Sequence, residues 1–328
     1  MNLMASRPPH VRSRESNFSV MSDVVIALLP LYVMAYFFYG SQVVTLGGVS
    51  VAVCLVLDYG ITFLSSRRVS LPDLSPVITG MMIPLMLPST VPLMTVIVAD
   101  IFAIAVVKQP FGGLGQNIFN PAAAWVAFAI LTWPDVVFQY IAPIESLGAT
   151  VARYVTSPGA YLRLGATPIY PAADVFLGIY PGPMGATGIL ILAACLVYLS
   201  VRKTVNYRTT LSFLGAAAVV AFLFPRVTTG RFDSVFYELT SGILLFGSIF
   251  LINDPTTSPK SQATKMIYGA ASGVLTMAFR YFGAYEEGMV FAVLLINAFS
   301  LLIDLQYEKI RHKERRLRHE EQEQTETI

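Results

Sequence analysis

The chain has 328 residues, of which 55% are hydrophobic and 13% charged, with a mean hydropathy of +0.63. Charged residues make up about a quarter of an ordinary soluble domain, so the composition excludes a soluble fold and describes an integral membrane protein in contact with the lipid bilayer. A net charge of +2, with no basic patch interleaved with aromatics, excludes nucleic acid as a partner.

Residues 1–23 form a polar segment carrying Arg7, Arg12 and Arg14. No small-residue cleavage site follows the first apolar run, so no cleaved signal peptide is expected. Measured against the roughly 20 residues that cross a bilayer, ten apolar runs follow: 24–38, 43–64, 74–87, 91–107, 118–131, 186–200, 211–224, 235–252, 266–281 and 289–305. Several are short or broken, with Gly80 and Pro84 in the third and Asn120 and Pro121 just inside the fifth. Irregular backbone at membrane depth is tolerated where protein buries it or a cavity is lined, so these breaks mark a functional centre.

Loop charge supports the count. With the N-terminus cytoplasmic, most of the 22 basic residues fall on that side, Lys108 among them, and the exceptions are Arg153, Arg163, Arg226, Arg231 and Arg280. This is the bias of the positive-inside rule. It places both termini in the cytoplasm and the 133–185 loop outside. The organisation expected is therefore a cytoplasmic segment 1–23, a first five-helix half 24–132, an extracytoplasmic loop 133–185, a second five-helix half 186–306 and a cytoplasmic charged tail 307–328. Five spans per half imply two halves of opposite topology, an inverted repeat in an all-α membrane fold. The stretch FGGLGQNIFNPA from Phe111 answers FGAYEEGMVFAVLLIN from Phe282.

Four groups of residues can carry chemistry. In LRLGATPI, from Leu162 to Ile169, Thr167 offers a hydroxyl beside Gly165 and Ala166, and Pro168 keeps the backbone out of a helix; such a stretch is also an ordinary turn. A second Gly-Ala-Thr triplet, Gly185 to Thr187, lacks the proline. In KQPFGGLGQNIFNP, Gly112 and Gly113 permit a tight turn, while Gln116, Asn117 and Asn120 supply amides that can hold a polar ring or phosphate, or cap broken helices. No GK[ST] follows, so this is no P-loop. Asp100 in mid-span, Asp58 towards one end of its span and Asp254 at the end of the eighth are candidates for an ion path, because acids inside a membrane are costly.

The three histidines, His10, His312 and His319, all lie in the termini, and the two cysteines, Cys54 and Cys195, sit apart in apolar runs. No metal or haem centre is expected, and a redox centre has to be organic.

Five stretches, in order along the chain, resemble the D-subunit family of the Rnf ion-translocating ferredoxin:NAD oxidoreductase, related to the B subunit of the sodium-pumping NADH:quinone oxidoreductase. They are SDVVIALLP (22–30), KQPFGGLGQNIFNPA (108–122), GATPI (165–169), FLINDPTTSP (250–259) and FGAYEEGMVFAVLLIN (282–297). The resemblance implies ten helices in a urea-transporter-like fold in a prokaryotic inner membrane. It implies FMN joined through its phosphate to a threonine, which falls on Thr167 in preference to Thr187, and a non-covalent riboflavin in the core by analogy with the related B subunit. The partners implied are the flavin-bearing G subunit, the membrane A and E subunits, the C subunit and a flavin transferase. On this reading the chain is one subunit of a translocase and not catalytic alone. The competing expectation is a flavin-free solute channel or carrier on the same fold.

Overall fold

The computed structural model describes residues 17–65, 73–113, 115–144 and 154–326, with side chains as far as residue 311. The chain is mostly helical. The helices of its first part are α1 (Asn17–Tyr39), α2 (Gln42–Leu64), α3 (Ser75–Leu85), α4 (Leu93–Ile101) and α5 (Pro121–Thr132); α4 runs on through a π-helical stretch, Phe102–Lys108. A connecting region holds α6 (Pro134–Val137), the two-residue strands β1 (Tyr140–Ile141) and β2 (Tyr154–Val155), α7 (Pro158–Arg163) and α8 (Ala172–Leu177). The strands pair antiparallel. The second part has α9 (Ile189–Val201), α10 (Tyr207–Leu223), α11 (Arg231–Thr240), α12 (Leu244–Phe250), α13 (Gln262–Phe282) and α14 (Met289–Glu326).

Four segments are long and apolar enough to cross a membrane: Asn17–Tyr39, Gln42–Leu64, Leu93–Phe111 and Met289–Arg311. Ser75–Leu85, Pro121–Thr132, Ile189–Val201 and Tyr207–Leu223 are shorter apolar helices. At a rise of about 1.5 Å per residue a helix the length of α3 reaches only about half-way through the hydrocarbon layer, so its ends are met inside the protein. This is a multi-pass membrane protein. The tail emerges as a continuation of α14 through Glu326, with no break at the charged residues.

Helix packing relies on small residues. Gly269 and Gly273, one turn apart on α13, face the backbone of α10; a Cβ on Gly269 would stand 2.5 Å from the Thr209 carbonyl, and one on Gly273 would strike the Phe213 carbonyl. Without a hydrophobic drive between helices in lipid, such close backbone approach supplies the van der Waals contact that holds them. Asp23 of α1 accepts hydrogen bonds from Tyr198, Arg202 and Thr204, tying α1 to the end of α9. One apolar core runs through both parts, and a second, small core of Leu162, Val175, Tyr180, Val227 and Tyr237 lies under the connecting region.

Candidate functional site

The connecting region is built to present one turn. Ser157 caps α7 by accepting from the Ala160 N–H at 3.1 Å, and Pro158 occupies the first turn, where a missing N–H costs nothing. The helix stops at Gly165, whose φ of 68° is the left-handed value that glycine adopts without penalty. The Gly165 N–H donates to the Leu162 carbonyl at 3.0 Å and the Ala166 N–H to that of Tyr161 at 2.9 Å, which closes a Schellman turn. Leu162 is buried in the small core and Pro168 is buried after the turn, so the residues between them are held at the surface. Tyr170 donates to the Thr156 carbonyl and Tyr237 to the Tyr170 carbonyl, fixing the exit. Thr167 is partly exposed on this frame, and its hydroxyl is engaged in no hydrogen bond among the described residues.

Thr187 has the same two residues before it and the opposite surroundings. The Met184 and Gly185 N–H groups donate to the Leu87 and Leu85 carbonyls at 2.9 and 2.8 Å, satisfying the open end of α3. A Cβ on Gly185 would stand 2.6 Å from Leu85, and one on Gly178 would stand 2.8 Å from the Thr187 carbonyl. Thr187 is 0% exposed, and its hydroxyl is buried without a hydrogen-bond partner. A third triplet, Gly148 to Thr150, which has no proline after it either, lies outside the described residues.

The glycine- and amide-rich stretch divides. Gly112, Gly113 and Gly115 have positive φ, as a tight turn needs, and the exposed Gln116 folds its side chain over Gly112. None of Gly112, Gly113 and Gln116 lines the cavity beyond this turn. Asn117 and Asn120 do, together with Ser75, Lys108, Asn253 and Asp254, around a volume of about 120 Å³. Asn120 combines both roles open to it: its Oδ1 accepts from the Ala123 N–H at 3.0 Å as the cap of α5, and its Nδ2 donates to Asp254 Oδ2 at 3.2 Å. That contact joins the Asn120–Pro121 break of the first part to the Asp254–Pro255 break of the second. The volume is below the roughly 300 Å³ at which small-molecule pockets begin, so an isoalloxazine ring enters only if these elements part.

The three candidate acids are not gathered in one place. Asp58 pairs with Lys108 at 3.0 Å and accepts from Gln109 Nε2 at 2.8 Å. Lys108 also donates to Ser75 Oγ and reaches the cavity that Asp254 lines. The expectation that Lys108 is a loop charge is therefore corrected: its side chain is 3% exposed. Widening of the helix into π-helical turns ahead of it carries the ammonium inward onto an anion, which offsets the cost of burying either charge alone. Asp100 is 0% exposed and accepts from Ser50 Oγ at 2.8 Å.

A cluster that sequence reasoning missed satisfies the break between α11 and α12, where Gly242 has a φ of 63°. Arg280 donates to the Glu238 and Ser241 carbonyls at 2.7 and 2.9 Å and pairs with Glu238 and Glu287. Arg226 pairs with Glu238 at 2.6 Å, and Glu287 accepts from the Ile243 N–H at 2.9 Å. The neighbouring Glu286 accepts from Ser157 Oγ at 2.6 Å, so the cluster reaches the cap of α7 and, through that helix, the turn of Thr167. Burial holds the Glu286 carboxyl up at about 7, against the opposing pull of Ser157. The four ion-pair partners lie between positions 226 and 287 with no motif among them, and only the paired acids in FGAYEEG hinted at the site.

The fold and sites together define a multi-helix membrane protein with broken helices meeting at its centre and one threonine presented on a fixed surface turn. The profile of the NQR2, RnfD, RnfE family matches residues 4–312, and the chain belongs to that family. It is 32% identical to the D subunit of the Na(+)-translocating ferredoxin:NAD(+) oxidoreductase complex of Acetobacterium woodii, over 93% of each chain. It is 30% identical to the D subunit of the proton-translocating ferredoxin:NAD(+) oxidoreductase complex of Clostridium ljungdahlii, over 91% of this chain and 92% of that one. With the D subunit of the ion-translocating oxidoreductase complex of Halorhodospira halophila the identity is 27%, over 90% and 91%.

Proposed function

We propose that this chain is the D-type membrane subunit of an ion-translocating ferredoxin:NAD oxidoreductase, carrying FMN as a phosphoester on Thr167 and coupling electron transfer to outward movement of Na+ or H+. The observation that carries the assignment is the contrast in access: Thr167 is partly exposed on a preformed turn, and Thr187 is fully enclosed. A transferase needs a segment it can reach, and 165–167, exposed or partly exposed ahead of the buried Pro168, meets that need without unfolding anything. When bound, the flavin supplies electron transfer in one- or two-electron steps. The chain's part is to hold its attachment point still, by the Schellman turn behind Thr167, the buried Pro168 after it and the Ser157–Glu286 contact at the far end of α7.

In this reading the ten apolar runs are ten crossings in two inverted halves, with both termini in the cytoplasm of a prokaryotic cell and 133–185 outside. Helix in every one of those runs, and the meeting of the two Asn/Asp-Pro breaks, support it. The partners are the G, A, E and C subunits and the flavin transferase. A non-covalent riboflavin at the cavity of Asn117, Asn120 and Asp254 requires that cavity to widen. The test is in-gel flavin fluorescence of the chain matured beside its transferase. Wild type and Thr187→Ala are expected to fluoresce and Thr167→Ala to be dark; a dark wild type overturns the assignment.

A further inference from the structure

Asp100 is the residue whose surroundings the flavin does not explain. It lies within α4, 0% exposed, and only one of its oxygens is satisfied: Oδ1 accepts from Ser50 at 2.8 Å, while Oδ2 has no hydrogen-bond partner among the described residues. The Cys54 thiol lies against the same carboxyl, and the Tyr32 phenol of α1 stands near it, donating its own proton to the Met81 carbonyl. Of the other elements packed on α4, α3 and α5 carry no titratable residue. The π-helical stretch carries Lys108, and that charge is already matched by Asp58. An ionised Asp100 would thus be a buried anion without a counter-charge or a full set of donors, which proteins avoid by neutralising the group.

A metal cation does not fill the gap. The donors at hand are one hydroxyl, one thiol and the carboxyl itself, and hard cations take several oxygen ligands, not sulfur. A proton needs one oxygen.

The polar residues of α2 give this proton a direction. Ser50, Cys54, Asp58 and Thr62 recur every four residues, so they lie on one face of the helix, about 6 Å apart along its axis. Ser50 touches Asp100 and Cys54 lies beside it; Asp58 holds Lys108, and Gln109 bridges Asp58 to Thr62 at 2.8 and 3.2 Å. Lys108 in turn lines the central cavity. We infer that Asp100 is a proton-carrying site of the first half, held as the neutral acid and exchanging its proton with the central cavity along the Cys54 and Asp58–Lys108 face of α2. On release the O–H bond of Asp100 breaks, the Asp58 carboxylate takes up the proton on its way to the cavity, and Asp100 is left as the carboxylate until a proton returns. No electron moves in this step.

The inference deepens the ion-translocation reading and rests on it only for what the proton is used for. It is tested by infrared spectroscopy of the full chain in lipid nanodiscs, without partners, so that its failure leaves that reading standing. A protonated-carboxyl C=O band is expected at neutral pH, where an ordinary aspartate is ionised, to be lost in Asp100→Asn and to be the same in Na+ and K+ buffers. Ser50→Ala, which removes one donor and leaves the acid in place, is expected to keep the band and move it to higher frequency. In D2O the band should shift as the proton exchanges, and more slowly in Asp58→Asn. The inference is overturned if Asp100→Asn removes no such band, if Ser50→Ala leaves the band unmoved, if Na+ abolishes it, or if Asp58→Asn exchanges at the wild-type rate.

Discussion

Two stretches of this chain share the letters Gly-Ala-Thr and differ in everything that surrounds them. At 165–167 the triplet follows a short capped helix, its glycine turns the chain into the left-handed region, and the threonine is left partly in the open. At 185–187 the same letters are packed against α3: the glycine N–H closes an open helix end, and the threonine is wholly enclosed. A hydroxyl's reactivity towards a modifying enzyme is set by access, and access comes from what the neighbouring helices do. The lesson is that a short motif becomes a site only in its packing.

The comparison can be strained in several ways. The largest effect is expected from Gly185→Val, because the added side chain meets Leu85 inside the bundle; overpacking of this kind costs about 1–3 kcal/mol or more, seen as a fall in the melting temperature of the purified chain. Gly165→Ala would meet only the Arg226 carbonyl, at an ordinary contact distance of 3.9 Å, and is opposed by the left-handed backbone alone, so a loss of about 1–2 kcal/mol is expected in the same assay. A result in the reverse order would contradict the assignment of a packing role to one glycine and a turning role to the other.

Glu286 sharpens the comparison, since it touches the open copy's scaffold through Ser157. Its folded carboxyl titrates at about 7, above the ordinary 4.5, so the folded state binds the proton more tightly than the unfolded one. That contribution is full below pH 4.5 and is lost as pH rises through about 7. The melting temperature is expected to fall across this window in the wild type, and the fall to be reduced in Glu286→Gln. The smallest effect belongs to Thr187→Val. It replaces an unpartnered buried hydroxyl by a methyl of similar size, and a change within about 1 kcal/mol, of either sign, is expected from melting curves; a large loss would mean that the hydroxyl is used.

Much of the frame was legible in the sequence. Long apolar runs bounded by Gly, Pro and charge mark α2, α10 and α13 to within a few residues, because burial in lipid leaves the chain little other choice; α1 instead begins at Asn17, two turns ahead of its apolar run and inside the segment 1–23 read as separate. The Gly-Asn stretch was legible as a turn. Its division into glycines that only bend and asparagines that reach a cavity was not, because that depends on where Asp254 arrives, in a break more than a hundred residues away. The Asp58–Lys108 pair and the Arg226–Glu238–Arg280–Glu287 cluster were hidden for the same reason: each is made by distant charges that a reading in chain order assigns singly to loops or spans.

The central claim is settled most directly by digesting the chain purified from its native host and weighing its peptides. The account predicts the mass of FMN, less water, on the peptide containing Thr167 and on no other. The same mass on the peptide of Thr187 or Thr150, or an unmodified Thr167 peptide in fully matured protein, would contradict it.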